Sequence, residues 1–472
     1  MAEALSDALL QRFAAIVGPA NALTDEALKA PFLSEPRDLF RGRTRLVLRP
    51  GSREEVSAIL RLASETRTPV VPQGGNTGLV GGQQPRSDAE IVVSLARMNR
   101  ILDVDPLGRT MMVEAGAVLA TVQAAADEAD CLFPLSLGSE GSCHIGGNLA
   151  SNAGGIGVLA YGNARALCLG IEAVLASGEV FHGLGRLRKD NRGYDLRDLF
   201  VGSEGTLGII TAAVLRLFPK PAGREVAFVG LADPEAALDL LKAAQARAGT
   251  QLTAFELMGR TAMEFTLRHT EGARDPMTQP HAWYVMIEIS SGRSAEDARE
   301  TLETILSEAF EAGGVEDAVV AQSLADAKRF WRMREDMSWA QKPEGGSIKH
   351  DVAVPVARVP EFLRAADAAV LKAVPGARIV AFGHLGDGNI HYNISQPVGA
   401  DKAAFLDRWS EVNAIVHAIV ADLDGTFSAE HGIGQLKREE LARTKDRVEM
   451  EMMRGIKQVL DPYCILNPGK VV

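Results

Sequence analysis

VVPQGGNTGLVGGQQP, residues 70–85, joins a short β-type run to a loop holding five glycines: Gly74, Gly75, Gly78, Gly81 and Gly82. Such a loop gives up chain entropy, because glycine loses more freedom on folding than any other residue. The usual compensation is a tight turn, or a phosphate held by main-chain N–H groups. A flexible surface loop is the plain alternative.

The residues around this loop alternate between strand and helix patterns. TRLVLRP (44–50), PVVP (69–72), EIVVSL (90–95) and TMMVEAG (110–116) read as strands. SREEVSAILRLASET (52–66) and LATVQAAADEA (119–129) carry apolar residues at helical spacing. Two further small-residue stretches follow, SLGSEGSCHIGGNLASNAGGIG (136–157) and VGSEGTLGIIT (201–211), and both contain Gly-Ser-Glu-Gly. Three such loops in one segment ask for one explanation. A nicotinamide-binding Rossmann unit is a poor one. Residues 74–82 do not match G-x-G-x-x-G. Gly155 to Ala160 matches the G-x-G-x-x-A variant, but no strand precedes it, so the strand–turn–helix context is missing.

The glycine loops stop at LFPKPAGRE (217–225), where Pro219 and Pro221 break the periodicity. Beyond it, strands at 226–232, 252–258, 283–290 and 316–322 and helices near 234–248 and 294–312 follow the order β-α-β-β-α-β, a ferredoxin-like split unit. A helix at 324–341 comes next. The tail from about 405 is helical, interrupted by GTFSAEHGIGQ (425–435).

With 472 residues the chain is too long for one ordinary core. Its 50 basic and 61 acidic residues leave a net charge of -11, which argues against nucleic acid or an anionic membrane as main partner. No apolar run reaches the ~18 residues of a membrane span. The start, MAEALSDALLQRFAAIV, reads as an amphipathic helix and not as a signal peptide. Cys131, Cys143, Cys168 and Cys464 form no CxxC pair, so reduced thiols in a cytoplasm are expected.

ARIVAFGHLGDGNIHYNIS (377–395) is the strongest local signal for chemistry. Asp387-Gly388 predicts a two-residue hairpin turn. In that register Gly386 pairs with Asn389, Leu385 with Ile390, and His384 with His391; Phe382 and Asn393 form the next pair on the histidine face. Opposed residues share a face with Cβ atoms about 4.5–5.5 Å apart, and two imidazoles so placed can converge on a divalent metal. A third donor is wanted. Glu430 and His431 stand beside Gly432 and Gly434 in a loop with little side-chain cover. A helix start capped by Ser428 is the competing reading.

PQGGNTGLVGG (72–82), GSCHIGGNLASNAGG (141–155), LRKDNRGYDLRDLFVGSEGTLGIIT (187–211), GHLGDGNIHYNIS (383–395), AEHGIG (429–434) and LNPGK (466–470) together resemble the FAD-linked D-2-hydroxyacid dehydrogenases with a vanillyl-alcohol-oxidase type of flavin domain. The resemblance runs from about residue 40 to the C-terminus. It implies an α+β chain: a PCMH-type FAD-binding domain (1–221), a ferredoxin-like substrate and metal-binding domain (222–404), and a C-terminal helical segment (405–472) returning to the flavin. The active site is expected at their junction.

In that family Gln73, Gly74, Gly75, Asn76, Thr77 and Gly78 wrap the FAD pyrophosphate. A Cβ at Gly75 is therefore expected to push into the phosphate. Gly138, Ser142, Ile145, Gly146, Gly147 and Asn152 belong to a second flavin-contacting stretch, and Glu204, Gly208 and Ile209 to a third. The loop at 73–78 has no histidine or cysteine, so the FAD is expected to be non-covalent. His384, His391 and Glu430 match the family's ligands for a divalent ion, zinc or manganese, and His431 matches its general base. Arg334, Ser338, Lys349 and Asn393, with His431, fall where substrate contacts belong; serine at 338 replaces an expected threonine but keeps the hydroxyl. The implied reaction is oxidation of D-2-hydroxyglutarate to 2-oxoglutarate, the hydride passing from C2 to flavin N5. D-lactate or glycolate is the alternative substrate, and a non-catalytic flavin-binding subunit the alternative class. The electron acceptor is expected to be a protein or quinone, and a homodimer is possible.

Overall fold

The computed structural model describes residues 5–472. The chain divides into two units. Met1–Gly154, Gly162–Lys220 and Glu430–Val472 form the first; Gly155–Tyr161 and Pro221–Ala429 form the second. The stretch 405–472 is thus shared, its last part belonging to the first unit. The amphipathic N-terminal helix spans Asp7–Val17, opened by Ser6, whose hydroxyl accepts from the Leu9 N–H; residues 1–4 lie outside the described residues. No helix among the described residues is long and apolar enough to cross a membrane.

In the first unit, strands Val47–Leu48 and Val70–Gln73 both pair in parallel with Ile91–Ser94. Helix Arg53–Thr66 connects the first two. Ser52 caps its start, Arg67 ends it in the left-handed region at φ 55°, and Val56, Ile59, Leu60 and Ala63 bury one face. Parallel neighbours need such a crossover. An antiparallel sheet of five strands lies in the same unit, in the order Ile101–Asp105, Thr110–Glu114, Ile209–Arg216, Cys168–Val174, Val180–Gly183. Its central strand, Ile209–Arg216, is buried almost throughout. The C-terminus closes the first sheet: the Val70 N–H donates to Ile465 O, and the Asn467 N–H donates to Val70 O. The strand that launches the glycine loop is therefore held from both sides.

The second unit is built on one mixed-length sheet, ordered Asp317–Val320, Gly223–Leu231, Trp283–Ser291, Leu252–Gly259, Arg378–His384, Asn389–Ser395, Ser347–Ile348. The first four strands have the split-unit order. Helix Arg260–His269, between the second and third of them in the chain, was not legible as a separate element. Even–odd alternation splits the sheet into two faces. Phe255, Leu257, Val285, Ile287, Tyr392 and Ile394 pack with Leu240, Leu302, Phe362 and Val412 of four helices. On the other face Phe228, Met258, Met286, Val380 and Phe382 pack with Met263, Phe265, Phe330 and Met333.

The hairpin register differs from the one expected. His384 pairs with Asn389 and Phe382 with His391, two residues off. The connection is a 3-10 turn over Leu385–Asp387 closed by Gly388 at φ 82°, with Leu385 buried. Leu385 prefers the core to a ladder position, so the turn takes four residues. A slip of two keeps parity. His384 and His391 thus remain on one face as diagonal neighbours, their ring centroids 5.7 Å apart.

Candidate active site

A cleft of about 920 Å³, counting space open to solvent, lies within the first unit. Gln73, Gly74, Gly75, Asn76, Thr77, Gly78, Gly146, Gly147, Glu204, Gly208, Ile209 and His431 line it. Gly138, Ser142, Ile145 and Asn152 do not line it. Ile145 opens helix Ile145–Ala150 and is buried. Asn152 sits at φ 50°, its Oδ1 accepting from the Arg165 N–H.

Side chains hold the Gln73–Gly78 part of the glycine loop, while the Val80 and Gly81 carbonyls further on accept from main-chain N–H groups. Asn76, at φ 57°, donates its Nδ2 to Pro31 O and Ser34 O and accepts from Gln84 Nε2. Gln73 Nε2 donates to Phe32 O and Gln83 O. Among the described residues, the N–H groups of Gly74 to Gly78 have no protein acceptor. Three buried polar atoms of the cleft wall, Gln73 Oε1, His144 Nδ1 and Asn467 Oδ1, also have no protein partner. Unpaired buried polar groups are costly. A ligand that brings phosphate oxygens to the N–H groups and hydroxyl or N–H donors to the two amide oxygens would satisfy them, so the cleft fits FAD.

The glycines do not all serve the cleft in the way expected. A Cβ on Gly75 would stand 2.0 Å from Ser142 O and 2.9 Å from Cys143 Cα, so this glycine lets two chain segments touch. A Cβ on Gly147 would meet nothing within 4 Å. Gly147, not Gly75, is the position where a methyl would stand in the open cleft.

Glu204 sits at φ 51°. Its carboxylate accepts from the N–H groups of Ile433 (2.6 Å) and Gly434 (2.8 Å), which fixes the loop carrying His431. Burial pushes this carboxyl up, and the two amides offset that only in part. His431 Nε2 lies 3.6 Å from Glu430 Oε1. Ser428 caps no helix; it bridges Asp351 instead.

In the second unit, His384 and His391 share the face with Asn393, whose Oδ1 accepts from the His350 N–H. Asp351, missed in the sequence, offers a carboxylate oxygen within 4.8 Å of a His391 ring nitrogen. It also accepts from Asn389 Nδ2. An imidazole and a carboxylate are donors that suit a divalent ion, but His384, expected as a ligand, is not among the residues whose donor atoms gather there. Glu430 follows this unit by one peptide bond, after Ala429, whose N–H donates to Asp351 O.

The helix carrying Arg334 ends at Asp336, so Ser338 lies in the turn beyond it. Lys349 Nζ donates to Ser338 O at 3.3 Å. Arg334 is buried, and its Nε donates to Glu256 Oε2 at 2.7 Å. The other Glu256 oxygen lies 2.7 Å from His384 Nδ1. Burial pushes the Glu256 carboxyl up, but His384 and Arg334 more than offset this and hold it below the usual carboxylate range. The signal for Glu256 was present in LTAFELM: an acid inside an otherwise apolar strand needs a partner.

Known proteins resemble this chain over nearly its whole length. The family model "FAD linked oxidases, C-terminal domain" matches residues 220–471, and "FAD binding domain" matches 44–183. The chain is 38% identical over 462 residues to the mitochondrial D-2-hydroxyglutarate dehydrogenase of Arabidopsis thaliana, covering 98% of this chain and 80% of that one. It is 40% identical over 424 residues to the D-2-hydroxyglutarate dehydrogenase of Xanthomonas citri, covering 89% and 88%. With the mitochondrial Bos taurus enzyme of that name it shares 38% over 457 residues, covering 97% and 82%. Among solved structures, p-cresol methylhydroxylase superposes with a TM-score of 0.78 at 18% identity, covering 98% and 96%. 4-Ethylphenol oxidase of Gulosibacter chungangensis superposes at 0.72 and 19%, covering 98% and 96%. These show the vanillyl-alcohol-oxidase type of fold. The cytoplasmic location expected from the cysteines is overturned by the plant and animal relatives, which are named as mitochondrial proteins. Reduced thiols indicate a reducing compartment without saying which one.

Proposed function

We propose a function on a plain premise: the chain belongs to the FAD-linked oxidase family, and within it to the FAD-linked D-2-hydroxyacid dehydrogenases. Its substrate is D-2-hydroxyglutarate and its product 2-oxoglutarate. The relatives' names support the substrate. The observation that carries the chemistry is that His431 lines the same cleft as the glycine loops.

FAD, bound non-covalently along Gln73–Gly78 and Gly146–Gly147, supplies the hydride acceptor that no side chain can provide. His384, His391 and Glu430 would hold a divalent ion, zinc or manganese, whose Lewis acidity toward a 2-hydroxy carboxylate lowers the hydroxyl pKa. His431 takes the hydroxyl proton; an imidazole suits this because its pKa lies near operating pH. The Glu204 carboxylate keeps the His431 loop in place through two main-chain N–H groups. Lys349 and the hydroxyl of Ser338 hold the distal carboxylate, with Arg334 adding its buried charge. Asn393 orients the substrate on the histidine face. A protein or quinone would serve as the final electron acceptor.

Anaerobic mixing of the purified protein with D-2-hydroxyglutarate, D-lactate and glycolate tests this reading. The flavin absorbance should bleach fastest with D-2-hydroxyglutarate. Faster bleaching with D-lactate would move the assignment to the alternative substrate, and no bleaching with any of the three would leave only a flavin-binding protein.

A further inference from the structure

We propose that Glu256 is a positioning residue that fixes the tautomer of His384 and ties that histidine to Arg334 through one carboxylate. The consequence for metal binding rests on the function proposed above; the tautomer does not.

The sheet itself sets the pair. Glu256 is the ladder partner of His384, strand Leu252–Gly259 against strand Arg378–His384. Directly opposed residues put their side chains on one face within reach of each other. Glu256 is 1% exposed and His384 8%, so water cannot substitute for either partner. An ionised carboxylate only accepts hydrogen bonds. At 2.7 Å from Glu256 Oε1, His384 Nδ1 must therefore be the donor. A neutral imidazole has one N–H. With that proton on Nδ1, the lone pair is on Nε2.

The competing explanation is that Glu256 merely neutralises Arg334. The geometry speaks against it. A carboxylate whose task is to pair with arginine commonly meets it fork to fork, through two parallel hydrogen bonds. Here both close approaches of the guanidinium fall on the same oxygen, Oε2: Nε donates to it at 2.7 Å, and Nη2 lies 2.7 Å away without forming a hydrogen bond. Oε1 is turned to His384. The forked geometry is given up for the histidine. Arg334 is steadied from another side by Phe382, its guanidinium carbon 4.9 Å from the ring centroid. A carboxylate behind a ligating histidine orients the ring and raises its basicity, and losing such a partner typically lowers metal affinity ~10- to 100-fold.

The test uses the full-length, FAD-loaded protein, stripped of metal by chelation and labelled with 15N-histidine. Long-range proton–nitrogen correlation reads the His384 tautomer, assigned by difference from His384→Gln. The expected wild-type state is Nδ1–H. Two paired variants follow, each removing both buried charges so that neither leaves an unpaired ion. Glu256→Met with Arg334→Met should lose the Nδ1–H state and bind Zn2+ roughly 10- to 100-fold more weakly. Glu256→Gln with Arg334→Met keeps an acceptor for Nδ1–H, so it should retain the tautomer and most of the affinity. An Nε2–H or doubly protonated His384 in the wild type overturns the proposal, as does equal behaviour of the two paired variants. The wild-type spectrum decides by itself where a paired variant does not fold. Wild-type protein that binds no Zn2+ refutes the metal reading and leaves the tautomer test standing.

Discussion

Gly147→Ala should weaken FAD binding while leaving the empty protein at least as stable. Gly147 lies in helix Ile145–Ala150 at the cleft wall, and a Cβ there meets no protein atom within 4 Å. Its backbone is helical, so alanine fits without strain. Gly→Ala at a compatible position stabilises by ~0.4–1 kcal/mol through the unfolded chain. The methyl instead displaces whatever occupies the cleft. Overpacking by a methyl costs about 1–3 kcal/mol, roughly 5- to 150-fold in Kd. Gly75→Ala should behave in the opposite way. Its Cβ would lie 2.0 Å from a backbone oxygen that cannot step aside, so the protein itself should lose stability. The assay is reconstitution of apoprotein with FAD, followed by flavin fluorescence, beside the melting temperature of each apoprotein. A Gly147→Ala variant with wild-type Kd and a Gly147→Val variant with full flavin would together refute the cleft assignment.

His384→Ala, or treatment with a chelator, should abolish turnover and leave the flavin spectrum largely intact; activity in protein shown metal-free by elemental analysis sinks the metal reading. Lys349→Ala should lower kcat/KM for D-2-hydroxyglutarate at least ~10-fold, since hydrogen bonds to charged groups contribute roughly 1.5–3 kcal/mol. D-Lactate, without a distal charge, should lose far less, and equal losses would assign Lys349 to the shared end of the substrate. Buried Lys470 gives a pH prediction: burial holds its pKa down at about 8, against 10.5 for ordinary lysine. Between those values the unfolded chain binds more protons, so this group's contribution raises stability as pH rises. The total is on the order of 3 kcal/mol. Denaturant unfolding of wild type and Lys470→Met across that window should show the difference moving toward the wild type, and a flat difference would contradict the burial argument.

What the sequence determined by itself is what local chemistry controls. Glycines without side chains mark close approach wherever they stand. Proline ends a pattern, and apolar alternation reports which residues share a face. That is why the split-unit strands and the common face of His384 and His391 were legible, and why the face survived a wrong turn length: parity is a property of the strand, not of its connection. Tertiary structure decided the partners. Glu256 meets His384 across 128 residues, and Glu204 meets Ile433 and Gly434 across 229 and 230. The same holds for Gly75, whose missing Cβ makes room for the Ser142 main chain. A side chain's type states that a buried charge or a bare backbone needs a counterpart. Which counterpart it finds depends on strand order and chain return, set by packing over the whole unit, and no window of sequence contains that.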